Sequence, residues 1–101
     1  MKQPTIEIVL FQLAEGVSQD EFLNAAQNVE SWLRQVSGFR RRELSRDAAG
    51  NWVDIVHWDS LEEAQKAAAE IMSTPEGQKF GGTIRGESIQ MYHVHPVHEL
   101  T

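Results

Sequence analysis

Asp54 is the residue whose position in the sequence most directly suggests chemistry. It lies within WVDIVHWD, residues 52–59, where most of the neighbouring side chains are apolar or β-branched. An unpaired buried carboxylate is strongly destabilising, so Asp54 needs either a cationic partner or a wet pocket. An arginine from residues 40–42 would make it half of a salt bridge, which we favour. A wet pocket would instead make it a general base and a candidate catalytic residue.

Histidines supply the other side chains that titrate near neutral pH. His57 is the second candidate catalytic residue, and its alternative role is structural, with the ring bonded to a carbonyl group. His93 and His95 alternate near the end of the chain and His98 follows, a spacing at which imidazoles can bind zinc or copper. No acidic residue separates His93 from His95, and His98 follows Pro96 in a polar tail. We therefore predict no metal site.

Apolar and aromatic side chains near Asp54 could form the walls of a pocket. Phe11 and Val56 are candidate ligand-binding residues, and Tyr92, the only tyrosine, could donate its hydroxyl to a ligand or simply pack. The chain has no cysteine, which excludes thiolate metal sites and a cysteine nucleophile. It also has no Ser/His/Asp order, no His-Glu-x-x-His string and no phosphate-binding glycine loop. The sequence therefore names no reaction and implies no cofactor.

The pattern of apolar residues predicts strands and helices that would position these side chains. Short segments rich in β-branched residues predict strands at 5–13, 39–47, 52–59 and 87–94. Capping boxes predict two helices, one beginning after Ser18 and ending at Gly38, the other beginning after Ser60. Pro75 is expected to open a short extra turn that Gly81-Gly82 limits. Residues 39–47 contain consecutive arginines and are predicted to form an edge strand.

The apolar faces of the predicted helices recur at helical spacing. In the first helix they are Phe22, Ala25, Ala26, Val29, Trp32, Leu33 and Val36, and in the second Leu61, Ala64, Ala68, Ile71 and Met72. The order βαββαβ predicts an α+β, ferredoxin-like fold with a four-stranded antiparallel sheet and both helices on one face. A length of 101 residues fits a single domain over 1–101, with residues 95–101 as a flexible tail.

The first and third predicted strands are apolar on both faces. In the first strand Ile6, Ile8 and Leu10 alternate with Val9 and Phe11. A sheet with one solvated face should alternate apolar with polar residues. Two helices cover only one face, so a second copy of the chain in a two-fold dimer is expected to cover the other. We expect the site, with Asp54 and Trp58, to lie on the face without helices.

The segment WVDIVHWDSLEEAQKAAAEIMSTPEGQKF resembles the third strand and second helix of the dimeric α/β-barrel superfamily, which includes antibiotic-biosynthesis monooxygenase-like proteins. Its local signature is Trp58 followed by Asp59–Ala64. The resemblance implies a barrel formed across a homodimer, with a pocket in each subunit. Resemblance to the haem-degrading branch would place Trp58 against a ligand, where an indole offers a flat apolar wall and an N–H donor. Packing in the dimer core is the alternative.

Several functions are compatible with these features. A formal net charge of −6 argues against nucleic acid and anionic membranes as partners. No signal peptide or transmembrane span is predicted, and the cytoplasm is the expected location.

The first hypothesis is a pocket for a small, mostly apolar or aromatic molecule, and the alternative is a cofactor-independent monooxygenase. Haem degradation is disfavoured, because that branch has an asparagine on strand one and a histidine after helix two, which this chain lacks. A plain dimerisation module is the remaining hypothesis.

Overall fold

The chain follows the predicted βαββαβ order; the short extra turn predicted at Pro75 is a third α-helix, and a 3-10 helix precedes the last strand. The computed structural model describes residues 3–101. Its elements are β1 (Thr5–Phe11), α1 (Gln19–Leu33), β2 (Phe39–Arg46), β3 (Trp52–Trp58), α2 (Leu61–Ile71), α3 (Pro75–Gly82), a 3-10 helix (Gly86–Ser88) and β4 (Gln90–Val94). None of the helices in this part of the chain is long and apolar enough to cross a membrane.

The strands form one antiparallel sheet in the order β2-β3-β1-β4. This order confirms the predicted ferredoxin-like α+β fold, with β2 at one edge and β4 at the other. Strand β1 pairs with both β3 and β4, so Glu7 lies opposite Val56 on one side and opposite His93 on the other. Residues far apart in sequence therefore meet at the centre of the sheet.

Side-chain caps begin the helices, as the sequence predicts. The hydroxyl of Ser18 accepts a hydrogen bond from the backbone N–H of Glu21, and Ser60 does the same for Glu63. Thr74 caps α3, with Pro75 in its first turn. Gly38 is not the cap of α1, which ends at Leu33. Its positive φ of 88° belongs instead to the turn into β2, where its carbonyl accepts the N–H of Asp59.

Two predicted strand ends differ from the structure by two residues or more. Strand β1 stops at Phe11, and Leu13 makes only an isolated bridge with Ile84. The segment predicted to begin β4 at Glu87 instead forms the 3-10 helix, in which the N–H of Ser88 bonds to the carbonyl of Arg85. The prediction failed there because a single tight turn satisfies the same backbone groups locally.

Alternate side chains of the central strands divide between two faces of the sheet. The face toward the helices carries Thr5, Glu7, Val9, Phe11, Trp52, Asp54, Val56 and Trp58. We call the other face the open face; it carries Ile6, Ile8, Leu10, Val53, Ile55 and His57. The prediction that Asp54 and Trp58 lie on the face without helices is therefore wrong. Both alternating sets are largely apolar, so the pattern could not show which set the helices would cover.

The hydrophobic core has two parts beneath the helices. In one part, Val29 and Leu33 of α1 and Ala64 and Ala67 of α2 pack around Trp58. In the other, Phe22 is completely buried among aromatic rings. Its ring centroid lies 5.5 Å from Phe11, 4.7 Å from Trp52 and 5.6 Å from Phe80. These contacts confirm most of the predicted apolar face of α1.

The second helical face was predicted less well. Ala67, which the predicted stripe omits, is buried, whereas Met72 is about half exposed.

Helix α3 follows α2 through a tight corner at which Gly77 lies directly against the backbone carbonyl of Ile71. That space would not admit a Cβ atom, so a glycine is required for the two helices to meet as they do.

Candidate ligand-binding cavity

A cavity of about 520 Å³ lies between the sheet and its helices. This volume is within the roughly 300–1,000 Å³ usual for small-molecule sites. Its apolar walls include Val9, Phe11, Val29, Leu33, Val56, Trp58, Ala67, Ala68, Ile71, Phe80 and Ile84. Met72, Ile89 and Met91 also line it and are each about half exposed, which places them at the mouth.

Asp54 lines this cavity and is paired there with Arg42. The Arg42 side chain donates Nε–H to Oδ1 at 3.0 Å and Nη2–H to Oδ2 at 2.8 Å. Its Nη1 donates to the carbonyl of Ala26 at 3.1 Å, and its guanidinium carbon lies 5.1 Å from the ring centroid of Phe80. The side chains of Arg42 and Asp54 are only 6% and 9% exposed. The predicted salt bridge is confirmed, and Arg42 is the partner.

Glu7 is a second buried carboxylate on the same face, and only 8% of the residue is exposed. The indole N–H of Trp58 donates to Oε1 of Glu7 at 3.2 Å. Burial raises the pKa of the Glu7 carboxyl, and the nearby charge of Asp54 raises it further. The hydrogen bond from Trp58 and the ring of His93 lower this pKa, but they do not cancel the effect of burial. Glu7 lines the cavity together with Trp58, so a second carboxylate besides Asp54 meets a mainly apolar space.

His93 lies beside Glu7, at the paired position of β4. Its Nε2 is 3.5 Å from Oε2 of Glu7, is buried, and has no hydrogen-bond partner among the described residues. The rest of the His93 side chain is 19% exposed, so it is more enclosed than the solvated tail predicted for the histidines. His95 instead places Nδ1 at 3.2 Å from the carbonyl of Pro4. Within residues 3–101, no group of three His, Cys, Asp or Glu side chains could hold a metal ion.

The other predicted site residues divide between the two faces. Phe11, Val56 and Trp58 line the cavity. His57 lies on the open face, where Nε2 is 2.9 Å from Oε1 of Glu43, so its partner is a carboxylate and not the expected carbonyl. Tyr92 pairs with a residue of the open face and donates its hydroxyl to Gln90 at 3.3 Å. The structure therefore brings Asp54 together with three of the apolar residues and separates it from His57 and Tyr92. Their roles toward a ligand stay predictions.

Glu7 is the site residue that sequence reasoning missed, although a signal for it was present. It interrupts an apolar strand just as Asp54 does, and it alternates with Val9 and Phe11 on one face. A carboxylate in a buried strand needs a partner or a pocket, and both residues have this requirement.

No family model matches the chain, and no curated protein matches it. Solved structures do. SnoaB from Streptomyces nogalater, a cofactor-independent oxygenase, is 16% identical, with a TM-score of 0.70 over 98% of this chain and 96% of its own. A proposed antibiotic biosynthesis monooxygenase from Bordetella bronchiseptica is 15% identical, with a TM-score of 0.78 over 96% and 100%. Rv0793 from Mycobacterium tuberculosis is 17% identical, with a TM-score of 0.65 over 97% and 99%.

These matches extend over nearly the whole length of both chains in each pair. At such low identities they establish the fold and not the reaction. The resemblance seen in the sequence is confirmed at that level: the chain has the fold of the antibiotic-biosynthesis monooxygenase-like proteins.

Proposed function

We propose that the protein is a homodimer in which each subunit binds a small, mostly apolar or aromatic molecule. The observation that carries this proposal is the cavity of about 520 Å³ between sheet and helices. Its walls are mainly apolar, with a few polar groups at fixed positions, which is the usual composition of a ligand site. Trp58 supplies a flat aromatic wall, and Met72 and Met91 offer adaptable side chains at the mouth.

The homodimer would pair the open faces of two subunits. Each open face presents apolar side chains that are only half buried in one subunit: Ile6, Ile8, Leu10, Val53 and Ile55. A contiguous apolar patch often marks an interface, and a two-fold axis pairs the same patch with itself. We expect Ile55→Glu to convert a dimer into a monomer in sedimentation velocity. Ala69→Glu, at an exposed position of α2, should leave the dimer intact, and a monomeric wild type would contradict the proposal.

Oxygenation of the bound molecule without a cofactor is the second candidate function. The fold shared with the oxygenase SnoaB and the buried carboxylate of Glu7 in the cavity support it. Of the candidate bases, Asp54 already accepts two hydrogen bonds from Arg42, and His57 lies on the open face. Glu7 is thus the better placed of the three.

The chemistry requires only a base, an acidic C–H group and dioxygen. The base removes a proton from a ring CH₂ group, and the resulting carbanion gives its electrons to O₂. The net change converts CH₂ and O₂ into C=O and H₂O, with one oxygen atom in the product and the other in water. An apolar cavity favours this course because it excludes water from the reactive carbanion.

One pair of variants tests both functions. Ala68 lines the cavity from α2, whereas the adjacent Ala69 is exposed. We expect Ala68→Phe to weaken azobenzene binding by about tenfold or more by filling the cavity, and Ala69→Phe to change it little. Equal binding by the two variants would contradict the cavity as the site. Oxygen uptake with anthrone should likewise fall in Ala68→Phe and not in Ala69→Phe. If the wild type takes up oxygen no faster than a solution without protein, oxygenation of this probe is ruled out, and the proposal that the cavity binds a ligand still stands.

A further inference from the structure

The polar groups of the cavity differ in how much bonding capacity they have left. Within the described part of the chain, the charged residues that line it are Glu7, Arg42 and Asp54. Each carboxylate oxygen of Asp54 accepts one hydrogen bond from Arg42, whose positive charge neutralises the carboxylate. The carboxylate of Glu7 accepts one bond, from Trp58 to Oε1. Its Oε2 atom therefore keeps acceptor capacity that a ligand could use.

His93 lies next to Oε2 as a distant ion-pair partner. The 3.5 Å separation between Nε2 and Oε2 is longer than a good N–H···O hydrogen bond. The Nε2 atom is buried and has no other partner among the described residues. His93 does not line the cavity, and it flanks Glu7 from the paired position on the neighbouring strand β4. It is therefore placed to orient the carboxylate and not to contact a ligand.

We propose that Glu7 is the specificity-determining residue of the cavity, accepting a hydrogen bond from an O–H or N–H group of a neutral, otherwise apolar ligand, with His93 as its positioning residue. This inference rests on the proposed binding function of the cavity. It also implies which ligands are rejected. A carboxylate ligand would meet Glu7 and Asp54 while the only cation of the described cavity wall, Arg42, is already bound. Like charges at short range in a buried site repel strongly.

Recognition of this kind depends on pH, because only an ionised Glu7 accepts a charge-assisted hydrogen bond. The groups facing Glu7 are His93 from β4 and Asp54 from β3, the latter paired with Arg42 of β2. The helix residues that line the cavity carry no titratable side chain. The preference for a donor-bearing ligand should therefore weaken as the pH falls through the raised pKa of Glu7.

Three dyes of the same shape test the proposal: azobenzene, para-hydroxyazobenzene and para-carboxyazobenzene. Binding is measured below the pH at which the dye's hydroxyl ionises. We expect the wild type to bind the hydroxyl dye about ten- to a hundredfold more tightly than azobenzene, the range for a hydrogen bond to a charged group. The carboxyl dye should bind most weakly. Glu7→Gln should remove most of the preference, whereas Glu43→Gln, which alters a carboxylate beside a histidine on the open face, should keep it.

His93→Gln separates positioning from simple structural support. Glutamine keeps an N–H donor but cannot titrate. Because the His93 ring lowers the pKa of Glu7, this variant should keep the preference for the hydroxyl dye and shift the midpoint of its pH dependence upward. A midpoint identical to that of the wild type would overturn the positioning role. This measurement does not depend on whether Glu7→Gln folds.

The dye series separates failure of this inference from failure of the proposed function. Equal binding of azobenzene and hydroxyazobenzene by the wild type would overturn recognition by Glu7 and leave the apolar cavity standing. Tightest binding of the carboxyl dye would also overturn it and would indicate Arg42 as the recognising group. If the wild type binds none of the dyes, both the inference and the proposed function are overturned.

Discussion

Asp54 and Glu7 lie on neighbouring strands of one sheet face, and both are buried carboxylates, yet their surroundings differ in kind. Asp54 receives two hydrogen bonds from one guanidinium, at 2.8 and 3.0 Å. Glu7 receives one bond from a neutral indole, at 3.2 Å, and has an imidazole nitrogen 3.5 Å away. Burial alone therefore does not distinguish a structural carboxylate from a chemical one. The two kinds of carboxylate are distinguished by how many of their hydrogen-bonding positions remain without a partner.

The Arg42–Asp54 pair also holds the helices to the sheet. Arg42 reaches from β2 to the carbonyl of Ala26 on α1 and lies against Phe80 of α3. Asp54 fixes the guanidinium in that position from β3. Glu7 makes no comparable contact with a helix in the hydrogen bonds described, so its loss should be felt in ligand recognition more than in folding.

The largest effect is expected for Asp54→Asn. This change leaves Arg42 as a buried charge without its counter-ion, which costs about 3–5 kcal/mol of unfolding free energy. Asp59→Asn is a matched control, because Asp59 also pairs with an arginine of β2, Arg40, at 3.1 Å but with both side chains about half exposed. Its cost should be below about 1 kcal/mol. Urea denaturation measures both, and equal losses would show that the buried pair has no special structural role.

A smaller effect, with a distinctive pH dependence, is expected for Glu7→Gln. Near neutral pH its unfolding free energy should lie within about 1 kcal/mol of the wild type, because the amide oxygen can still accept the bond from Trp58. The folded protein holds the Glu7 proton more tightly than the unfolded chain does, since burial raises this pKa above its ordinary value of 4.5. The stabilising contribution of Glu7 is therefore complete below that value and is lost as the pH rises through the folded pKa.

Glutamine has no such titration, so the variant should gain stability relative to the wild type as the pH rises from below about 4.5 to neutral. Urea denaturation of both proteins at a series of pH values gives this difference directly. A relative stability that falls with rising pH would contradict a raised pKa for Glu7. Such a result would also remove the contrast drawn between Glu7 and Asp54.

The fold could be predicted from the sequence almost completely because its signals are local. The serine caps at Ser18 and Ser60 and the alternation in β1 and β3 each depend on a few neighbouring residues. The salt bridge of Asp54 was also predictable, because an unpaired carboxylate in a buried strand is too costly. Which arginine would meet it depended on the register between β2 and β3, which the turn alone does not fix.

The position of the site could not be predicted because both sets of strand side chains are apolar. Only the packing of α1 and α2 against Trp58 decides which set faces the cavity. The pairing of Glu7 with His93 was equally hidden, since it joins the first and last strands and no local pattern relates them. Long-range contacts of this kind follow from topology and not from spacing in the chain.

The corner between α2 and α3 bears on the thermodynamics of binding. Gly77 packs directly against the backbone carbonyl of Ile71, so no side chain separates the two helices at this corner. These same helices contribute Ala67, Ala68, Phe80 and Gly81 to the cavity wall. This part of the wall is therefore packed during folding, before any ligand arrives. A ligand that enters meets a preorganised surface, so less of its contact energy is offset by the ordering of the protein.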